Sequence, residues 1–510
     1  MTARPPVKAL VYGDVNLNII DGSAIWAPST VETLARAGCQ TTLLLKTRIH
    51  RTTLVEPLDG MANVRIARPY EDRLLDGKAA ETLSIAQAIQ VMRQLDVEHQ
   101  FDIVLVRGFA LAGRIVDSHA FDGRLWTYLT DIPQSVATLD EATLDRLAEI
   151  VEASRYMLCQ TEEFRSYLEG SVPAACGRSV LFGPVVPADD PPPAPRPVEP
   201  GQPLRLVYSG KFAPLWNTLE MMALPARLAE RGVTAELHVI GDKVHQSATD
   251  PTYHDRMQSA LRSSPGVIWH GAQSRRAAMQ ICAEAHVGLG WRDPELDASL
   301  ELSTKVLEYG SVGLPVALNR TPMHEALLGR DYPLFVQDER DLVDRLCQVA
   351  TEPAIHEDAA ARCQAAAADY SFEVAAANVR RLVARAFPST DALGERPRPL
   401  RVVVASHDLK FFDRILGQLQ GLPEVEVRVD LWPALTGHDP AVGKELVAWA
   451  DVVICEWFGQ NAVWYSHNRR KGQRLIVRLH RFELYSGWTR LARIERIDQV
   501  VCVSPHYAEL

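Results

Sequence analysis

A lysine and a glutamate three positions apart, Lys305 and Glu308, sit in the stretch LSTKVLEYGSVGLPV at residues 302–316, and they carry the clearest chemistry in the chain. On a helix, Thr304, Lys305 and Glu308 fall at i, i+1 and i+4 and share one side. Leu302, Val306, Leu307 and Gly310 form the opposite, apolar side. A lysine in the first helical turn opposes the helix dipole. It makes sense where an anion sits, because a helix N-terminus beyond the carboxyl end of a strand presents free N–H groups and positive potential. A solvated Lys305–Glu308 pair accounts for the same two residues equally well. Gly210-Lys211-Phe212 is a second such place, where a glycine permits close approach and a lysine supplies charge.

The elements that must position these groups are short apolar runs separated by helical patterns. Residues 286–291 read as a buried strand. Ser303 or Thr304 then caps a helix running to about Tyr309, Gly310 and Gly313 punctuate its end, and residues 316–318 form the next strand. Strands are also expected at 7–12, 41–45, 103–106, 125–129, 156–160, 204–209, 235–240 and 267–269, with helices between, including one opened by Asp21-Gly22-Ser23 and one at 371–387. This is the grammar of a parallel α/β sheet. The first strand–turn–helix has no G-x-G-x-x-G, so a dinucleotide cofactor is not supported. Arg107 and Asp131 lie just past strand ends, where functional groups of open α/β sheets gather. Trp216 follows the Lys211 loop, and a packed core position is the simpler expectation for it.

The 302–316 run closely resembles the donor-site segment of GT-B glycosyltransferases, particularly the retaining group called family four, in which a P-S-K-x-x-E-Y-x-A-x-G-x-P-V run is frequent. The resemblance implies a GT-B architecture of two Rossmann-like doubly wound domains and a donor site for a nucleotide sugar. It places Ser303, Thr304 and Lys305 beside the diphosphate and gives Glu308 the ribose hydroxyls. Gly210 and Lys211 would complete the diphosphate site, and Gly22 and Ser23 look like the loop that approaches the donor phosphates and the acceptor. The chain departs from the family in three places. Trp216 and Asn217 replace a second lysine and a glycine, so the clamp would be Lys211 with Lys305. Thr130-Asp131 stand where a histidine is frequent; Asp131 is then the residue for a polar, catalytic role toward the acceptor, though capping or solvation also explains it. Leu300 occupies the position of a first glutamate, and Glu301 is one step away. By resemblance the reaction retains configuration and requires neither metal nor cofactor, and the acceptor is a glycan or a lipid-linked glycan of surface polysaccharide assembly.

With 510 residues the chain has room for about three domains of roughly 150 residues. Proline-rich stretches set the boundaries: residues 1–185 as an acceptor domain, 186–203 as a linker, 204–390 as a donor domain, and 399–510 as a third domain. The third domain echoes the first. LRVVVASHD resembles VKALVYGDV, ADVVICEWFG resembles FDIVLVRGFA, QRLIVRLHRFE resembles GRLWTYLTDIP, and DQVVCVSPHYAEL resembles RYMLCQTEEFRSYL. By this resemblance it is expected to be a second GT-B amino-terminal-like domain, apparently incomplete, with His480 at the family's histidine position.

A net charge of −10 argues against a general nucleic-acid binder. The eight cysteines show no metal spacing and read as reduced thiols of a cytoplasmic protein. The start of the chain lacks a signal-peptide core, and no apolar run approaches the roughly 18–20 residues of a membrane span. Lys46, Arg48, His50 and Arg51 offer peripheral contact to the inner face of a membrane, though a solvated loop explains them as well. Two rival functions share the same features: a GT-B sugar-nucleotide 2-epimerase, and a non-catalytic nucleotide-binding or scaffold protein.

Overall fold

The computed structural model describes residues 6–72, 74–75, 81–134, 138–187, 193–199, 201–247, 249–387, 398–504 and 507. The centre of the first proline-rich stretch, Asp189-Asp190-Pro191-Pro192, and the linker Glu395-Arg396-Pro397 lie outside the described residues. Contacts divide the chain into two compact units, Met1–Phe387 and Pro388–Leu510.

The first unit holds two parallel sheets. One is built from β1 (Lys8–Tyr12), β2 (Gln40–Leu44), β3 (Val64–Ala67), β4 (Ile103–Arg107), β5 (Leu125–Tyr128), β6 (Ser154–Cys159) and β7 (Ser179–Leu181), in the order β3-β2-β1-β4-β5-β6-β7. Its central strands are apolar throughout because both faces are covered. Leu10, Tyr12, Val104 and Val106 enter the core on one face, and Ala9, Val11, Ile103 and Leu105 the core on the other. The second sheet comprises β8 (Leu204–Ser209), β9 (Ala235–Ile240), β10 (Val267–Gly271), β11 (Val287–Leu289), β12 (Val316–Asn319) and β13 (Phe335–Val336), ordered β10-β9-β8-β11-β12-β13. In both sheets the strand order reverses beside the first strand, where open α/β sheets present a crevice at their carboxyl ends.

The helix Phe372–Ala386 returns to the first sheet. Val379 and Ala386 are buried in the core that contains Ala9 and Val11, and Glu373 pairs with Arg36 at 2.8 Å. The chain between the two domains is also seated: the Pro193 carbonyl accepts a hydrogen bond from Gln364 at 2.8 Å. It approaches Gly313 so closely that a Cβ there would stand 2.7 Å from it, at a φ of +74°.

The second unit contains β14 (Leu400–Ser406), β15 (Val425–Leu431), β16 (Val452–Glu456), β17 (Arg474–Leu479) and β18 (Gln499–Cys502), all parallel, in the order β15-β14-β16-β17-β18. This reproduces the order β2-β1-β4-β5-β6 of the first sheet, and four of the five correspondences, all but β15 with β2, are those of the sequence echoes. A local clamp is repeated too. Asp102 accepts the Lys8 N–H at 2.8 Å, and Asp451 accepts the Arg401 N–H at 3.0 Å. After β4 the chain turns through Gly108 at φ +105°, and after β16 through Trp457 at φ +70°. The indole of Trp457 stacks on His480 with ring centres 4.0 Å apart. Among the described residues, no helix is long and apolar enough to cross a membrane.

Candidate functional site

The carboxyl ends of the two sheets in the first unit face a shared cavity of about 370 Å³. On the side of the second sheet three successive strands end at or just before a glycine, and two of these, Gly210 and Gly241, line the cavity. Gly210, Gly241 and Gly271 adopt φ of +150°, +134° and +64°. The Gly241 N–H donates to Gly271 O at 2.8 Å, and a Cβ on Gly241 would stand 2.2 Å from the Gly210 carbonyl oxygen. Gly241 therefore lets its turn approach that of Gly210 where a side chain would hold the two apart.

The helix Thr304–Ser311 forms the next part of the wall and is closely seated on both sides. The Tyr309 ring lies so near Gly288 of β11 that a Cβ there would be 2.4 Å from it, and the Tyr309 hydroxyl accepts the Ser209 N–H at 2.9 Å. Gly310 is not a terminator as expected from the sequence. It lies within the helix, and a Cβ on it would stand 2.2 Å from the Cys363 carbonyl oxygen of the helix Pro353–Ala368. Ser303 is the N-cap by position, but its side chain makes no capping bond. The first turn is left to be satisfied by another acceptor.

Lys305 rises from that first turn. Its ammonium lies 4.2 Å from the centre of the Trp216 ring and 5.2 Å from that of Tyr208. The Lys211 ammonium lies 5.5 Å from the same Trp216 ring. Trp216 is thus a half-buried wall residue of the cavity rather than a core tryptophan, and it gathers two lysines from separate loops. Burial lowers the Lys305 pKa from its ordinary value to about 8; Glu308 opposes the shift, while Lys211 and Arg292 add to it. Glu308 does not pair with Lys305 across one turn. Its carboxylate forms an ion pair with Arg275, Oε1 lying 3.2 Å from Nη2, both side chains being about four-fifths buried.

The first domain supplies the facing wall. Asp21 caps the helix Gly22–Arg36 through the Ala24 N–H and pairs with Lys243 of the donor domain at 2.8 Å. Burial alone would raise the Asp21 pKa; the Lys243 hydrogen bond and the Ala24 N–H more than offset it, so the carboxyl lies below its usual range. Gly22 and Ser23 line the cavity at this helix start. Ser23 Oγ accepts Arg107 Nη2 at 3.1 Å, and the Arg107 guanidinium lies 5.7 Å from the Trp26 ring. Thr130 also lines the cavity. Asp131, next along, is exposed, at φ +63°, and outside the lining; its carboxylate accepts the Thr130 hydroxyl at 3.1 Å.

The loop between β11 and the Thr304 helix belongs to the donor domain by sequence but is seated by the first domain. Gln134 Oε1 accepts the Leu300 N–H at 2.7 Å, Thr161 Oγ1 donates to Leu300 O at 2.6 Å, and Gln160 Oε1 accepts the Leu302 N–H at 2.9 Å. The Leu300 side chain packs on the first domain's core. Glu301 is thereby turned into the cavity. Burial raises its pKa; Arg107 and Lys211 pull it down, and Asp131 adds to the rise.

The structure thus brings Gly22, Ser23, Gly210, Lys211, Glu301, Ser303, Thr304, Lys305 and Glu308 to one cavity and leaves Asp131 outside its lining. Sequence reasoning did not find Lys243, Trp26 or Arg275. For Arg275 a signal was present. It opens the helix Arg275–Ala283, whose first turn carries no acid, so it opposes the dipole as Lys305 does. Among the described residues, no group of three or more His, Cys, Asp or Glu is placed to hold a metal.

No family model matches the chain, and no curated protein matches it. Solved structures do. Sucrose-phosphate synthase from Thermosynechococcus elongatus superposes with a TM-score of 0.56 at 14% identity, covering 75% of this chain and 99% of that one. Anabaena HepE, solved with UDP and glucose, gives 0.54 at 12% identity over 74% of this chain and 100% of that one. A glycosyltransferase from Rickettsia africae gives 0.54 at 9% identity over 76% and 100%. At these identities the likeness establishes the fold: the chain has GT-B architecture, built of Rossmann-like α/β domains with a third such domain following the first two.

Proposed function

We propose that the protein is a glycosyltransferase that uses a nucleotide-diphosphate sugar and transfers the sugar to a hydroxyl acceptor with retention of configuration. The observation that carries this reading is the convergence of Lys211 and Lys305 on one face of the cavity, at an uncapped helix start, with Glu308 one turn along the same helix. Such a site suits a diphosphate whose charge grows as it leaves, since fixed cations and helix dipoles stabilise developing charge most strongly in a dehydrated cleft. Gly210, Ser303 and Thr304 offer it backbone and hydroxyl groups, and Glu308 accepts from the ribose hydroxyls. Catalysis in this reading rests on Lys211 and Lys305.

In the reaction, the bond between the anomeric carbon and the diphosphate oxygen breaks through an oxocarbenium-like state. The acceptor hydroxyl oxygen bonds to the same face of that carbon, and its proton passes to the departing diphosphate. Gly22, Ser23, Arg107 and Trp26 bound the acceptor side, with Asp131 and Glu301 at its rim. A glycan or lipid-linked glycan is the acceptor class we favour, in surface polysaccharide assembly. UDP is the first nucleotide to try, because the Anabaena protein of the same fold was solved with UDP and glucose.

Calorimetric titration of the full chain with UDP, GDP, ADP and dTDP tests the donor site. Micromolar binding of one of them, lost in Lys305→Ala and Glu308→Ala, is the expected result. A folded protein that binds none of the four would overturn the reading in favour of a scaffold. Product analysis after incubation with the matching nucleotide sugar separates transfer from 2-epimerisation.

A further inference from the structure

We propose that Arg275 is a positioning residue that makes ribose recognition by Glu308 depend on the two domains being closed on one another. This inference rests on the donor-site reading above. One guanidinium group reaches three other parts of the fold. Arg275 itself opens a donor-domain helix. Its Nη2 lies 3.2 Å from Glu308 Oε1, on the neighbouring donor-domain helix. The same Nη2 donates to the Val185 carbonyl at 3.0 Å, on the segment where the chain crosses between domains. Its Nη1 lies 3.3 Å from Ser29 Oγ, on the first domain's Gly22–Arg36 helix. Ser29 and Val185 are both buried, so neither contact is a surface accident.

A guanidinium is planar and its donors are fixed relative to each other. Its plane is therefore set by Ser29 and Val185, which keep their positions only while the first domain is seated against the donor domain. The Glu308 carboxylate, paired with this cation, is placed by the position those two bonds give it. The buried cation 3.2 Å from Oε1 holds the carboxylate by charge at that place. When the domains part, Ser29 leaves with the first domain, the guanidinium loses a fixed partner, and the carboxylate is no longer held. Closure and ribose binding then stabilise one another, and by linkage each must favour the other to the same degree. The chemistry of the first turn agrees: an arginine at this helix start gains nothing from the helix dipole, so its place is explained by the partners it reaches.

The test is a ribose discrimination assay, because a merely structural arginine would not affect it. UDP, GDP and ADP are titrated against wild type, Arg275→Ala, Arg275→Lys and Glu308→Ala, each beside its 2′,3′-dideoxy analogue, with circular dichroism confirming the fold. Wild type is expected to prefer the ribonucleotide by about tenfold or more, the cost of leaving a buried carboxylate without its hydroxyl donors. Glu308→Ala and Arg275→Ala are both expected to reduce that preference to within about twofold, and Arg275→Lys to restore little of it, since an ammonium cannot hold three partners in a plane. If Arg275→Ala weakens both nucleotides equally and keeps the ribose preference, the arginine is structural and the inference fails while the donor site stands. If folded wild type binds none of the nucleotides, the donor-site reading fails and this inference with it.

Discussion

The ammonium of Lys305 stands 4.2 Å from the centre of the Trp216 ring, and the ammonium of Lys211 approaches the same ring at 5.5 Å. Two like charges tolerate this proximity because the indole face offers each of them negative potential. Trp216 therefore takes the part that a further basic residue would otherwise complicate, holding the two lysines ready without adding a third charge. Trp216→Phe is expected to bind nucleotide within about threefold of wild type, because a phenyl face remains. Trp216→Ala is expected to lose about 1 kcal/mol or more, read as a rise in the calorimetric Kd.

Lys305 also sets a pH dependence. With its pKa lowered to about 8 in the free protein, it is charged at neutral pH and loses its proton early on the alkaline side. A bound diphosphate favours the ammonium, so binding above pH 8 takes up a proton. Affinity is expected to be level below about pH 7.5 and to fall above 8, by up to roughly tenfold per pH unit. For folding the sign is opposite. Between about 8 and the ordinary lysine value the unfolded chain holds more protons than the folded one, so stability from this group rises with pH through that window. Calorimetry in two buffers of different ionisation enthalpy measures the proton uptake, and Lys305→Met should abolish it.

Gly241 and Gly210 respond to alanine in different ways. A Cβ on Gly241 meets a backbone carbonyl at 2.2 Å with φ at +134°, and the backbone has nowhere to go. Gly241→Ala is expected to cost about 2 kcal/mol or more and to lower the melting temperature by several degrees. A Cβ on Gly210 meets the end of the Lys305 side chain at 3.0 Å, which can move. Because φ at Gly210 is +150°, Gly210→Ala is still expected to lower the melting temperature through backbone strain, and by displacing Lys305 it should raise the nucleotide Kd as well.

Leu300→Glu introduces the residue frequent at that position in the family that the 302–316 run resembles, and it should not raise activity. The Leu300 side chain packs on the first domain's core, and its backbone is clamped by Gln134 and Thr161. Placing a carboxylate there costs about 1–3 kcal/mol and undoes the seating that turns Glu301 into the cavity. Melting temperature and turnover of the nucleotide sugar are both expected to fall; a gain of turnover would show that Glu301 is not the group the loop presents.

Asp451→Ala tests the repeat. In the second unit this carboxylate accepts the Arg401 N–H and two bonds from Arg398, as Asp102 accepts the Lys8 N–H in the first. The substitution should destabilise the second unit by about 1–3 kcal/mol, seen as a separate early transition in calorimetric melting. Nucleotide affinity in the first unit should be unchanged.

The sequence showed what local pattern controls. Continuous apolar runs such as VLV in β4 or ALVY in β1 can only be parallel strands covered on both faces, and these were readable. The short outer strands VRIA and SVL are too brief and too polar to stand out from loop. The helix Thr304–Ser311 was legible because Lys305 and Glu308 stand one turn apart and Gly310, Gly313 and Pro315 follow in register. Arg275 was not, because its partners lie 33 positions ahead at Glu308 and, on the first domain, at Ser29, and no local spacing reports a contact across a cleft. Trp216 misled for a related reason: tryptophans favour cores, and only the fold shows that this one faces two lysines.

The loop at residues 299–302 has a consequence for engineering. Chimeras that join one enzyme's acceptor half to another's donor half treat the two as interchangeable modules. Here the donor half does not carry everything its own loop needs: Gln134, Gln160 and Thr161 of the other half set that loop. A graft cut at the crossing segment would separate the loop from its mould. The smallest exchangeable piece is thus discontinuous, and a productive hybrid must transplant those three side chains together with the donor half.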